Sequence, residues 1–164
     1  MSLPIFVVDA FTSEAFRGNP AAVVLGHGAE SWMQRVAAEL RHSATAFVRP
    51  RPDGGFDLRW FTPTAEVDLC GHATLASAYV VFNFVDPALD EVRFQTRSGE
   101  LLVRRGADGR NVMSLPTDHP TPFQGPAGIG ERIGVALGTE PPHELVKGKY
   151  LLLAVWNDAR IVRG

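Results

Sequence analysis

Residues 68–84 read Asp68-Leu69-Cys70-Gly71-His72-Ala73-Thr74-Leu75-Ala76-Ser77-Ala78-Tyr79-Val80-Val81-Phe82-Asn83-Phe84. From His72 onward the apolar positions run nearly all the way round a helix instead of forming one stripe. A helix of that kind is buried on most of its faces. The segments around it are short and strand-like. Residues 5–8 and 21–25 are apolar and β-branched, separated by the turn signal Arg17-Gly18-Asn19-Pro20. Ser31 is placed to N-cap a helix in which Trp32, Val36 and Leu40 recur at four-residue spacing, and which ends near Arg41. Residues 44–48 read as a strand and residues 50–55 as a turn. Phe56, Leu58 and Trp60 then alternate with Asp57 and Arg59, the pattern of a half-buried strand. Beyond the apolar helix, residues 92–96, 101–105 and 112–115 are strand-like, with turns at Gly99 and at Ala107-Asp108-Gly109. Many short strands around one wholly apolar helix predict an α+β fold, in which a sheet wraps a central buried helix.

The first domain is expected to span residues 1–115. Residues 116–128 carry Pro116, Pro120, Pro122 and Pro126 with Gly125 and Gly128, and read as a linker. Residues 129–164 then read as the incomplete start of a second, similar domain. Residues 129–137 form a short helix there, and residues 150–156 and 159–162 form strands. A separate domain needs about 50 residues or more, so the expectation is a chain truncated at Gly164.

The chain has 164 residues, 45% of them hydrophobic and 21% charged, which is a globular composition. A net charge of -2 with dispersed Lys and Arg argues against nucleic acid as a partner and against an anionic membrane surface. No apolar run is long enough to span a bilayer, and Met1-Ser2-Leu3-Pro4 has no basic n-region. The single cysteine cannot form an intrachain disulfide. Together these features predict a cytoplasmic protein.

Cys70 and His72 bring a thiol and an imidazole to the start of the central helix. Unpaired backbone N–H groups and the positive end of the dipole favour a thiolate or a substrate carboxylate there. His72 titrates near neutral pH and is a candidate to relay a proton or orient a substrate. Cys70 is a candidate acid or base, set against the alternative of a small buried hydrophobe. Gly71 allows close backbone approach, and its amide with those of His72 and Ala73 is expected to bind a carboxylate. Asn19 is a candidate substrate ligand from the first turn. Glu66 and Asp68 read as solvated charges at a strand end, and Asp9 as structural. His27, His42, His119 and His143 lack ligand spacing, so no metal site is expected. No phosphate-loop or dinucleotide-binding glycine pattern occurs.

Three groups of residues, in order, resemble a known family. They are Val8-Asp9-Ala10-Phe11; Phe16-Arg17-Gly18-Asn19-Pro20-Ala21-Ala22-Val23; and Phe61-Thr62-Pro63 with the run Glu66 to Leu75. Together they are similar to the PhzF, or phenazine-biosynthesis-like, isomerases. Asn157-Asp158-Ala159-Arg160-Ile161-Val162-Arg163 resembles a strand of that family's second half. The resemblance implies a diaminopimelate-epimerase-like fold of two pseudo-symmetric domains with the site in the cleft between them. It implies cofactor-independent movement of a proton on a small carboxylate-bearing substrate, places the imidazole of His72 in the cleft, and admits a homodimer. In the related epimerase folds a cysteine just before Gly exchanges protons, which is the role it suggests for Cys70. Two departures matter. The family's Ser-Glu-Thr-Ala-Phe-Val motif is Ser43-Ala44-Thr45-Ala46-Phe47-Val48 here, so alanine stands where the catalytic glutamate is expected. The second-half motif resembling Asp-Pro-Val-Thr-Gly-Ser-Ala is absent from this sequence. The alternatives are a catalytically silent binding homologue and a truncated, inactive chain.

Overall fold

The computed structural model describes residues 2–149 and 151–163. The chain packs as two compact units, Met1–Leu115 and Pro116–Gly164.

The first unit is built on one eight-stranded sheet. Its strands are β1 (Ile5–Ala10), β2 (Asn19–Leu25), β3 (Thr45–Pro50), β4 (Phe56–Phe61), β5 (Glu66–Val67), β6 (Glu91–Thr96), β7 (Gly99–Arg105) and β8 (Asn111–Ser114). The order is β1-β2-β3-β4-β6-β7-β8, with β5 paired to β4 off that path. Two neighbouring pairs, β2–β3 and β4–β6, are parallel and the others are antiparallel. A parallel pair needs a crossover, and each has one. Helix α1 (Glu30–Leu40) joins β2 to β3, and α2 (Gly71–Val80) lies between β4 and β6.

The two helices divide the sheet's faces. On one side, Met33 and Ala37 of α1 pack with Val24, Phe47 and Phe61. On the other, Ala73, Ala76, Ala78 and Val80 of α2 pack with Val23, Ala46, Val48, Phe56, Leu58, Trp60, Phe94 and Val103. The alternation along β4 is therefore the division between two environments. Phe56, Leu58 and Trp60 face α2, while Asp57 and Arg59 pair with charges outside. Strands β1 and β8, at opposite ends of the sheet order, both touch α2. A sheet whose two ends reach one helix must curl around it. The fold is α+β with a sheet wrapped on a central helix, as the apolar pattern of residues 72–84 predicts. Burying a large side chain such as Trp60 or Phe94 contributes roughly 1.5–3 kcal/mol, which makes this helix the anchor of the unit.

Three local expectations are corrected. Helix α1 starts one residue before Ser31; Ala29 is its N-cap and no side chain caps it. Glu30 in the first turn favours that end through the helix dipole instead. Helix α2 changes at Val81 into a π-helical turn, Val81–Val85. Residues 159–163 are helical, α4 in chain order, and not a strand. Asp158 accepts a hydrogen bond from the Arg160 N–H at 2.9 Å, an Asx cap that outweighs the β-branched Ile161 and Val162.

The second unit carries a three-stranded antiparallel sheet, ordered β11 (Leu152–Val155), β10 (Glu144–Lys147), β9 (Thr121–Pro122). Strand β9 lies within the expected linker and pairs with β10. Helix α3 (Ile129–Leu137) follows the sequence expectation. Among the described residues no helix is long and apolar enough to cross a membrane.

Candidate active site

The start of α2 is held from several sides. Cys70 is its N-cap in extended conformation, and its carbonyl accepts bonds from the Thr74 N–H at 3.1 Å and the Thr74 hydroxyl at 2.7 Å. The Ser98 hydroxyl donates to the Asp68 carbonyl at 2.6 Å, tying the approach to α2 to the turn after β6. One step earlier, Glu66 accepts bonds from Arg59 at 2.6 Å and from Arg97 at 2.7 Å. Its side chain is only 8% exposed, and the two guanidiniums hold its carboxyl below the usual carboxylate range. Glu66 is thus a buried structural anchor and not the solvated strand-end charge expected from sequence. Asp68 is exposed, 3.6 Å from Arg97.

On this frame sits a chain of four polar side chains. The Cys70 Sγ lies 3.5 Å from His72 Nδ1. The other ring nitrogen, Nε2, lies 3.3 Å from the Ser43 Oγ. Ser43 Oγ in turn lies 3.5 Å from Asn19 Oδ1 and 3.4 Å from the Pro20 carbonyl oxygen. Asn19 opens β2, and Ser43 leads into β3. The parallel pairing of these strands, with Ala22 opposite Thr45, brings the two residues together beside α2. Of the residues singled out from sequence, Cys70, His72 and Asn19 share one cluster. Gly71 and Ala73 add first-turn amides, which have no partner inside the helix. A Cβ on Gly71 would meet only the Met113 methyl group, at 3.5 Å, so packing within the unit does not require glycine there. Ser43 was not marked as a site residue from sequence. Its only sequence signal is its place in the Ser-Ala-Thr-Ala-Phe-Val run.

Electrostatics at the cluster follow burial. Half-burial of His72 removes water from the imidazolium and lowers its pKa below 6.5. Burial pushes the Cys70 thiol above its ordinary 9.0, and an interaction with the Ala73 amide pulls weakly the other way. For Cys70, desolvation outweighs that hydrogen bond, and burial favours the uncharged form of both groups, a neutral imidazole beside a protonated thiol. Ala44, where the family resemblance expects glutamate, is 1% exposed and part of the core around α2.

Two of the other expected bystanders have partners. Asp9 accepts from the Phe16 N–H at 2.9 Å, and His27 Nε2 lies 2.8 Å from the Phe47 carbonyl oxygen. Among the described residues no three His, Cys, Asp or Glu side chains cluster as metal ligands. A cleft lined by His27, Arg49, Asp57, Arg59 and Arg97 includes none of the four cluster residues. Its arginines are paired with Asp57, Glu30, Glu66 and Asp68, so it presents no unbalanced cation to an anion.

Residues 8–132 match the family profile described as phenazine biosynthesis-like protein. An uncharacterized isomerase of Pseudomonas aeruginosa is 49% identical over 141 residues, covering 83% of this chain and 52% of the relative. A crystal structure of a PhzF-family phenazine biosynthesis protein from Enterococcus faecalis, 38% identical, superposes with a TM-score of 0.81 over 99% of this chain and 60% of that one. The structure of a predicted epimerase from Pseudomonas aeruginosa, 22% identical, shares the fold with a TM-score of 0.77 over 99% of this chain and 62% of that one. The chain spans about half the length of the curated relatives it matches. Sequence and fold agree, and the chain belongs to the phenazine biosynthesis-like, or PhzF, family.

Proposed function

We propose that the start of α2 forms part of a PhzF-like isomerase site, which moves a proton on a small carboxylate-bearing metabolite without a cofactor. The observation that carries this reading is the imidazole of His72, set between a hydroxyl and a thiol at the start of a helix. Neutral imidazole can take a proton at physiological pH, and the Cys70 thiol beside it can return one. The first-turn amides of Gly71 and His72 can bind the carboxylate beside that of Ala73, which faces the Cys70 sulfur, and this holds the reacting carbon near the pair. The substrate class also follows what the family resemblance implies, and two relatives are named isomerases.

The test is solvent exchange. The chain is incubated in deuterium oxide with a panel of small cyclic and amino carboxylates, and deuterium on carbon is read by mass spectrometry. Incorporation that is lost in His72→Ala supports the reading. Absence of exchange across the panel counts against it. Ala44 favours one rival, a binding protein that keeps the pocket and lacks the base, because a buried methyl group accepts no proton. That rival predicts ligand binding with no exchange, and binding that survives Cys70→Ala.

A further inference from the structure

Ser43 lies among three groups that can each engage its hydroxyl, and their chemistry fixes which way its single proton points. Two of them, the Pro20 carbonyl oxygen at 3.4 Å and Asn19 Oδ1 at 3.5 Å, can only accept. The third is His72 Nε2 at 3.3 Å, a donor or an acceptor according to tautomer. A hydroxyl that gave its proton to the ring would turn lone pairs toward two carbonyl oxygens. Pointing the proton toward the carbonyls gives it an acceptor there and presents a lone pair to Nε2. Pro20 makes the argument independent of the Asn19 amide orientation, because a backbone carbonyl cannot flip to become a donor.

We infer that Ser43 is a positioning residue that fixes His72 as its Nε2–H tautomer and turns Nδ1, as the acceptor, toward the Cys70 thiol. Hydrogen bonds then run in one direction, from the Cys70 S–H to Nδ1 and from Nε2–H to the Ser43 oxygen. The Ser43 hydroxyl completes the run at the Pro20 carbonyl. When the thiol gives up its proton, the S–H bond breaks, an N–H bond forms at Nδ1, and the electron pair stays on sulfur. A thiolate and an imidazolium result, and the Ser43 oxygen, its own proton held by the Pro20 carbonyl, faces the N–H that carries part of the new positive charge. The opposite tautomer would point the Nδ1–H at the sulfur, a weak acceptor, and would leave the S–H with no acceptor on the ring. This assignment rests on the isomerase reading for its purpose, and on the geometry alone for its truth.

Nitrogen NMR on the full chain, labelled with 15N-histidine, tests it. His72 is identified by the signals that vanish in His72→Gln, and spectra are taken above its titration. In the unsubstituted chain Nε2 should be of the protonated type and Nδ1 of the unprotonated type, with widely separated shifts. Cys70→Ala should keep that separation. Ser43→Ala should draw the two shifts toward each other as tautomers mix, and Ser43→Thr should restore them. Ser43 is exposed, so its truncation opens no cavity. An Nδ1–H tautomer in the unsubstituted chain overturns the inference, as do unchanged shifts in Ser43→Ala or mixing caused by Cys70→Ala. These spectra need no substrate. A chain that exchanges no deuterium yet shows the expected shifts would sink the isomerase reading and leave the role of Ser43 standing.

Discussion

His72 loses water when α2 packs into the sheet, and the loss has consequences that run in a definite direction with pH. Its folded pKa is below the ordinary 6.5, so the unfolded chain binds its proton more readily. The same holds for His27, lowered chiefly by burial. Their contribution to stability is therefore full above pH 6.5 and is lost as pH falls through 6.5 toward the lowered values. Denaturant midpoints should decline from about pH 7 to about pH 5, and the double variant His27→Gln with His72→Gln should flatten that slope. Any exchange activity that needs neutral His72 should show an acid limb with its midpoint below 6.5, because protonation removes the acceptor. Gly71 separates structure from function at the same place. An added methyl group meets only Met113, and alanine favours a helix over glycine by up to about 1 kcal/mol. Gly71→Ala should leave the melting temperature unchanged or raise it. If a carboxylate sits on these amides, the same variant should weaken substrate binding, seen as a higher KM. Cys70-Gly71-His72 was legible as a site candidate because its members are neighbours in sequence. Ser43 was not, because it lies 29 positions from His72 and only the β2–β3 crossover brings it there.

Elements are legible where one periodicity meets one environment, as with Phe56, Leu58 and Trp60 on β4 or the apolar positions of α2. They are less so where a cap or a loop decides. Phe11 and Phe16 hold left-handed φ values of 68° and 67° between β1 and β2, a conformation no sequence rule assigns to phenylalanine. That loop closes on Gly18, where an added Cβ would strike the Ala10 carbonyl oxygen and lie 2.7 Å from the Thr12 methyl group. A backbone oxygen within a strand cannot swing away, so Gly18→Ala should destabilise the first unit by about 1–3 kcal/mol. Chemical denaturation measures that loss, and a near-neutral result would mean the loop shifts freely and does not hold Asn19 in place. At the far end of α2, the Arg105 guanidinium donates to the Phe82 carbonyl at 2.6 Å and to the Leu89 carbonyl at 3.0 Å, and lies 4.6 Å from the centre of the Phe82 ring. It caps the π-helical turn, where a cation also complements the helix dipole. Arg105→Ala should cost about 1–3 kcal/mol, and Arg105→Lys should recover only part of it, since one ammonium cannot form the same fork.

The two units differ in what they bury, and that difference sets how each should unfold. Met1–Leu115 encloses Trp60, Phe47, Phe61, Phe82 and Phe94 almost completely. In Pro116–Gly164 the only buried position among the described residues is Gly134, while Val135 is 82% exposed and Leu151 71%. Gly134 is buried because α3 meets the backbone at Glu140 and Pro141, where an added Cβ would come within 2.9 Å. One close helix–loop contact and a three-stranded sheet cannot offset the conformational entropy of ordering that segment, which is roughly 1–2 kcal/mol per residue for the backbone alone. A unit with a real core should reach the ordinary range of about 5–15 kcal/mol, and a coreless one should lie near zero. Amide exchange separates the two. Protection in α2, β2, β3 and β4 should exceed that in α3, β10 and β11 by about 1000-fold or more, since each factor of ten corresponds to about 1.4 kcal/mol. Equal protection across both units would mean that Pro116–Gly164 gains its stability from burial beyond its own fold. In that case a substitution such as Leu151→Lys, at an exposed apolar position just before β11, should lower protection in Pro116–Gly164.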